Sequence, residues 1–136
     1  MINKVINKKT KGFNDIINIT NDILGFIEDN NIDNGLITIS ISGSTAGITT
    51  IEYEDGVIED LKKAFERIAP QSEKYLHNEK WGDGNGFSHV RSAILGPSLS
   101  FPIINKEIKI GVWQQIVLVD FDNRPRERSI YISCVD

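Results

Sequence analysis

The chain has 136 residues, of which 40% are hydrophobic and 25% are charged, as in an ordinary globular protein. This composition excludes disordered and low-complexity proteins, and no apolar run approaches the roughly 18 residues that a membrane span needs. The formal net charge of −4 argues against a nucleic-acid partner, because phosphate neutralisation needs a dense basic surface. The single cysteine, Cys134, cannot form an internal disulfide, which is typical of a cytoplasmic protein. We expect a single domain over 1–136 without a membrane partner.

The beginning of the chain predicts a β-hairpin followed by a helix. Residues 2–9 and 14–19 have the composition of strands, and the intervening segment 11–13 has that of a turn. A helix is predicted over 20–30, where the first residue is a threonine suited to capping and the apolar residues fall on one side. A second interpretation starts this helix at Asn14, and the pattern leaves both starts open.

The middle of the chain predicts two strands and a second helix. Hydrophobic and polar residues alternate over 35–42 and again over 48–53, which is typical of strands with one buried face. Over 57–69 the apolar residues recur at helical spacing instead, and Pro70 ends the helix. Residues 71–88 have no period and predict a long loop, which in a compact domain is commonly functional.

Three or four strands complete the prediction. Their expected ranges are 89–95, 98–103, 108–121 and 127–135, with a turn at 122–125. The element order, ββαββα followed by strands, predicts an α+β fold. We expect a β-sandwich or partly open barrel with two main helices.

Both histidines of the chain, His77 and His89, flank the end of the predicted loop. The stretch between them also holds Asp83 and Asn85, and its glycines would let a ligand approach the backbone closely. Imidazole transfers protons near neutral pH and binds zinc in its neutral form. The pair therefore predicts a catalytic or metal site, or else two structural histidines bonded to loop carbonyls. For Asp83 and Asn85 the plainer interpretation is turn formation.

The segment 43–45 consists of small residues between two predicted strands. Its backbone N–H groups and the hydroxyls of Ser44 and Thr45 could face an anion, although a plain turn explains the same pattern. Alternation along the following strand places Glu52 on the same face as Thr50. The carboxylate of Glu52 either reaches the site or faces solvent.

The last two predicted strands carry a third group of candidates. Gln114 lies inside an otherwise apolar strand, and a buried amide needs hydrogen-bond partners. Arg126 and Arg128 share a face if the last strand continues past the turn, and guanidinium groups grip phosphate through paired hydrogen bonds. Surface ion pairs with Asp120 or Asp122 explain the two arginines equally well.

Taken in order, several motifs of the chain resemble the YjbQ family, named secondary thiamine-phosphate synthase. They are GSTAGITTIE from residue 43, YLH at 75–77, NGFSH at 85–89, WQ at 113–114 and RER at 126–128. The resemblance spans nearly the whole chain and rests on the order and spacing of the motifs rather than on any one of them. Many members have histidine-threonine-threonine where this chain has Gly-Ser-Thr, so one imidazole of that pattern is missing here.

The resemblance implies a compact α/β protein that assembles as a homotrimer, with clefts where the subunits meet. It implies a pocket around the positions His77, His89, Asp83, Asn85, Glu52 and Gln114. It also implies a weak ability to join the pyrimidine and thiazole halves of thiamine phosphate. The substrate would be a small phosphorylated molecule, and no organic cofactor is expected.

The expected reaction is the loss of pyrophosphate from a pyrimidine diphosphate, after which the thiazole nitrogen attacks the cationic methylene. Positive charge for the leaving group would come from a divalent ion such as magnesium on Asp83 and Glu52, or from the two arginines. A histidine would protonate the departing phosphate. The alternatives are a metal-dependent hydrolase with zinc on His77 and His89, and a non-catalytic trimer that binds a phosphorylated metabolite.

Overall fold

The computed structural model describes residues 1–136 as eight strands and four helices. In chain order they are β1 (Ile2–Thr10), β2 (Asp15–Asn18), α1 (Thr20–Asp29), β3 (Gly35–Ile41), β4 (Ala46–Glu52), α2 (Asp55–Ile68), α3 (Leu76–Trp81), α4 (Gly86–Leu95), β5 (Ser98–Ile104), β6 (Glu107–Ile108), β7 (Gln114–Asp120) and β8 (Arg126–Val135). The strands form two antiparallel sheets, one of five strands in the order β1-β8-β3-β5-β6 and one of three in the order β2-β7-β4. The predicted α+β class and sandwich-like, partly open barrel are confirmed.

The three-stranded sheet is buried on both faces. From its central strand β7, Ile116 and Leu118 pack into the main core, which the five-stranded sheet and α1 also line. Val117 and Val119 enter a second core, where Phe65 of α2 covers the opposite face. Two covered faces explain why β7 is continuously apolar rather than alternating. None of the helices has the length and apolar character required to cross a membrane.

The first predicted helix forms as α1, but its first residue does not act as a cap. The backbone N–H of Ile116 donates a hydrogen bond of 2.9 Å to the Thr20 hydroxyl, which ties the helix to β7. The alternative start at Asn14 is wrong, because β2 occupies 15–18. The second predicted helix begins earlier than expected, at residue 55, because the carboxylate of Glu54 accepts hydrogen bonds from the first backbone N–H groups of α2.

The predicted hairpin of the first two strands is wrong. β1 pairs with β8 in the larger sheet, whereas β2 pairs with β7 in the smaller one. Gly12, Phe13 and Asn14 all have positive φ angles, and the backbone N–H of Phe13 donates to the carbonyl of Asp122 at 2.7 Å. The segment that looked like a hairpin turn therefore carries the chain from one sheet to the other.

The predicted loop over 71–88 and strand over 89–95 are replaced by two helices. The residues of α4 that are buried, at positions 86, 87, 88, 91 and 92, follow helical spacing. Two of these residues are serines and one is an arginine, so a pattern of hydrophobicity alone could not reveal that buried face.

The long strand predicted over 108–121 is interrupted. Its first residues form β6 at the edge of the larger sheet, and its last residues form β7 in the centre of the smaller one. A turn closed by a hydrogen bond from the backbone N–H of Gln114 to the carbonyl of Gly111, at 3.0 Å, separates them. The chain changes sheet here, which a continuous apolar pattern does not disclose.

Candidate functional site

One open pocket of about 470 Å³ gathers eight of the ten residues predicted as functional. Its size lies within the range of small-molecule sites. It is formed by the turn between β3 and β4, by α3, by the beginning of α4 and by the first residues of β8. Its lining consists of Gly43, Ser44, Thr45, His77, Trp81, Asp83, Asn85, His89, Arg126 and Arg128.

The two helices that carry the histidines approach each other closely. A Cβ atom on Gly86 would lie only 2.5 Å from the Cβ of Tyr75, so glycine is required where α4 begins beside α3. The backbone N–H of Gly86 also donates to the side-chain oxygen of Asn78 at 2.8 Å. As a result the ring centroids of His77 and His89 are 4.3 Å apart, with the planes tilted by 49°.

Asn85 fixes the protonation pattern of His77. Its side-chain nitrogen donates to Asp122 at 3.3 Å, so its oxygen is the atom that lies 3.0 Å from Nε2 of His77. An amide oxygen only accepts, and therefore Nε2 of His77 carries a proton while Nδ1 is left for other chemistry. The carboxylate of Asp83 lies 3.2 Å from the same Nε2 and would stabilise the charged imidazolium.

Asp122 is the centre of the polar network beneath the pocket and is fully buried. It accepts hydrogen bonds from the Thr45 hydroxyl at 3.0 Å and from Nε of Arg126 at 2.8 Å. Burial raises the pKa of this carboxyl, but the hydrogen bonds from the backbone N–H of Asn123 and from Asn85, Arg126 and Thr45 together lower the pKa below its usual value. Asp122 is thus held as a carboxylate.

Asp120 holds the second arginine in a similar manner. Nε and Nη2 of Arg128 donate to its two oxygens at 2.7 and 2.9 Å, a bidentate pair in which both partners are buried. The Thr45 hydroxyl, which donates to Asp122, accepts from Nη2 of Arg128 at 2.7 Å. The Thr45 hydroxyl therefore makes its hydrogen bonds within the protein and has no proton left to donate to a ligand.

The ion pairs of the two arginines are present, but they are not surface pairs. Asp120 and Asp122, which were expected only as surface partners, position both arginines of the pocket. One sequence feature could have revealed these buried ion pairs. Two aspartates alternate at the end of an apolar strand, and two arginines follow with the same spacing. Because Arg126 and Arg128 both follow the turn on β8, the expectation that they share a face is met.

His89 lies on the first turn of α4 and is half-buried. Burial lowers its pKa from the ordinary value of 6.5, and the neighbouring charge of His77 lowers it further, against opposing effects of Asp122 and Asp83. Neutral imidazole accepts hydrogen bonds and protons. His89 is consequently a proton acceptor at neutral pH.

Glu52 and Gln114 are not part of this pocket within the chain. They pair with each other at one end of the β4–β7 ladder, whereas Ala46 pairs with Asp120 at the other. Six residues of strand separate the two ends by about 20 Å. The amide of Gln114 is satisfied locally, since it donates to the Thr50 hydroxyl at 3.0 Å and accepts from a nearby backbone N–H.

The chain offers few ligands for a metal ion. No group of three or more histidine, cysteine, aspartate or glutamate side chains is placed to hold one. Zinc sites in enzymes commonly use three protein ligands, and one chain supplies no such set here. Within one chain, the side chains as they are arranged do not fit a zinc ion held by three protein ligands.

Comparisons with known proteins agree with the resemblance of the motifs. A UPF0047 protein of Methanothermobacter thermautotrophicus is 34% identical over 119 residues, covering 88% of this chain and 81% of that protein. A UPF0047 protein of Mycobacterium tuberculosis is 31% identical over 121 residues, covering 89% of both. Neither name states an activity.

Solved structures show the same fold. A YbjQ-like protein of unknown function from Sulfolobus solfataricus superposes with a TM-score of 0.88 at 27% identity, covering 98% of this chain and 96% of that one. A YjbQ/UPF0047 protein from Clostridium acetobutylicum gives a TM-score of 0.83 at 28% identity, covering 96% and 99%. The model of the family described as UPF0047 protein YjbQ-like matches residues 4–136, and the chain therefore belongs to this family.

Proposed function

We propose that the pocket binds a small diphosphate and joins a pyrimidine diphosphate to a thiazole phosphate, with release of pyrophosphate, as the resemblance implies. The observation that carries the proposal is the convergence of two imidazoles and two guanidinium groups in one pocket. Guanidinium groups are suited to phosphate oxygens, and imidazoles to proton transfer at neutral pH. This chain supplies both chemistries within a space large enough for a metabolite.

The two arginines would stabilise the leaving pyrophosphate. Their aspartate partners leave one nitrogen of each, Nη1, free of hydrogen bonds within the chain. Donors fixed in advance at the place where charge develops lower a barrier without reorganising during the reaction. Asp120 and Asp122 thus serve the reaction by fixing Arg128 and Arg126 in position.

The proposed transfer needs no reagent other than its two substrates, because the bond that breaks and the bond that forms account for all electrons. The C–O bond between the pyrimidine methylene and the diphosphate breaks, and its electron pair leaves with the pyrophosphate. The lone pair of the thiazole nitrogen forms the new C–N bond, which leaves the positive charge on the thiazolium ring. His77, which lies 3.2 Å from Asp83, would protonate the leaving group, while neutral His89 would accept a hydrogen bond from the substrate.

We also propose that the chain forms a homotrimer. Val112 and Trp113, beside Glu52, are 82% and 73% exposed, and adjacent large apolar side chains in water are typical of an association surface. Contact there would bring Glu52 to a neighbouring subunit. Glu52 could then reach that subunit's pocket, although it does not line the pocket of its own chain. Sedimentation at three times the 15.3 kDa of one chain would support this proposal, and a monomer would refute it.

The test of the function is product formation from the two precursors in the presence of magnesium. Arg126→Gln should lower the rate roughly 100-fold, because one stabilising donor is lost. Arg124→Gln is the matched control, since Arg124 is exposed in the same turn and does not line the pocket. Its rate should equal that of the wild type.

Two results would contradict the proposal in different ways. If the pyrimidine diphosphate raises the melting temperature of the protein but no product forms, the chain is a binding protein and the transferase assignment is wrong. If neither product nor a change in melting temperature is seen, the pocket is not a diphosphate site at all.

A further inference from the structure

We propose that Gly43 is a specificity-determining residue that opens the pocket to a phosphate group at Nη1 of Arg128. This inference rests on the proposed function, because it locates the diphosphate of the substrate within the pocket. It adds a residue outside the catalytic set and identifies one guanidinium nitrogen that a phosphate oxygen would contact.

One nitrogen of the Arg128 guanidinium, Nη1, makes no hydrogen bond within the chain. Its Nε and Nη2 are bonded to Asp120 and to the Thr45 hydroxyl at 2.7 to 2.9 Å, so the orientation of the guanidinium plane is fixed. No fully buried side-chain nitrogen or oxygen in the protein lacks a hydrogen-bond partner. Nη1 has no hydrogen-bond partner and must therefore be accessible to solvent, although the residue as a whole is only 8% exposed.

The opening above Nη1 is the space that a side chain at position 43 would fill. A Cβ atom built on Gly43 would lie 3.0 Å from Nη1 of Arg128, which is closer than ordinary van der Waals contact. Arginine side chains are usually flexible enough to yield, but this one is held on two sides by Asp120 and Thr45. A side chain at this position would therefore lie against Nη1 of Arg128.

The surrounding groups favour an anion over a neutral ligand. Arg126 presents a second free Nη1, and Ser44 lines the same pocket. Guanidinium nitrogens only donate, so the atoms that satisfy them are acceptors such as phosphate oxygens. The opening at Gly43 thus leads a phosphate group directly to a donor that is already ionised and oriented.

The experiment measures the affinity of inorganic pyrophosphate by calorimetry for the wild type, Gly43→Ala and Gly96→Ala. Both glycines have positive φ angles, +107° and +94°, so both substitutions strain the backbone. Only the Cβ at position 43 meets another atom, because nothing lies within 4 Å of the corresponding point at Gly96. Gly43→Ala should weaken pyrophosphate binding at least about 10-fold, and Gly96→Ala should leave it unchanged.

Gly43→Asn gives a second variant in case alanine prevents folding, since asparagine tolerates positive φ better and covers the same space. Loss of binding in the folded variant supports the proposal. Equal binding by the wild type and both position-43 variants overturns it while the proposed function survives. Absence of binding by the wild type itself contradicts the proposed function.

Discussion

The two ends of strand β7 place polar residues in different environments, one buried and one exposed. At the end near the β8 turn, Asp120 and the following Asp122 are fully buried and hold Arg128 and Arg126. At the beginning of the strand, Gln114 pairs across the ladder with Glu52, whose side chain is exposed. One end is a connected network beneath a pocket, and the other is exposed within the single chain.

The comparison shows that polar residue types do not by themselves define a site. Glu52 is a carboxylate like Asp122, but only Asp122 is surrounded by donors. A buried carboxylate must be compensated, so its presence requires that cations be organised around it. An exposed one carries no such requirement. The buried end should accordingly be sensitive to substitution and the exposed end tolerant.

The largest expected effect is on stability at the buried end. Asp120→Asn should lower the free energy of unfolding by about 3–5 kcal/mol, because it leaves the buried guanidinium of Arg128 without its counter-charge. Denaturant unfolding gives the value directly. Glu52→Gln, the same kind of change at the exposed end, should stay within about 0.5 kcal/mol. Similar losses for the two variants would mean that the two ends do not differ as described.

A smaller effect is expected where the histidine-bearing helices meet. Gly86→Ala should destabilise the protein by about 1–3 kcal/mol, since the added Cβ collides with Tyr75 and must push α3 and α4 apart. Gly25→Ala is the matched control in α1, where nothing lies within 4 Å of the added atom. That variant should gain about 0.5–1 kcal/mol in thermal or denaturant unfolding. A gain for both would disprove the close packing of α3 on α4.

The smallest expected effect is the pH dependence of stability from His89. Its pKa is lowered in the folded protein, so between that value and 6.5 the unfolded chain binds more protons than the native state. The free energy of unfolding should therefore fall as the pH drops below about 6.5, with a slope of at most one proton. Asp122 does not contribute there, because its lowered pKa confines its loss of stability to pH below about 4.

His89→Asn isolates this contribution. The variant should lose part of the slope between pH 7.5 and 5.5 that the wild type shows in denaturant unfolding. An unchanged slope would mean that His89 titrates alike in the folded and unfolded chain. That result would also remove the reason for treating it as a neutral acceptor.

The sequence predicted the fold best where a strand or helix is amphipathic. β3 and α2 follow from their periodicity, because each has one buried face. It failed at 12–14 and near 111, where the chain changes sheet, since the same residues also make ordinary turns. It failed at α4 because that helix buries serines and an arginine, which no hydrophobic pattern reveals.

For the candidate site, the sequence identified the residues with distinctive chemistry and missed those that position them. Both histidines and both arginines were predicted and lie together. Asp120 and Asp122 were considered only as surface partners, because their burial depends on the packing of β7 between two cores. Glu52 was included on strand alternation, which fixes a face but not the end of the strand at which a pocket forms.

The central claim is that His77, His89 and the two arginines surround one anion site. The chain has only two histidines, so titration with inorganic pyrophosphate can be followed by NMR on two imidazole signals, assigned with His77→Asn. We predict that both signals shift along one saturable curve, and that Arg126→Gln moves that curve to higher concentration. If pyrophosphate binds while both imidazole signals stay in place, the anion site lies elsewhere and the account is wrong.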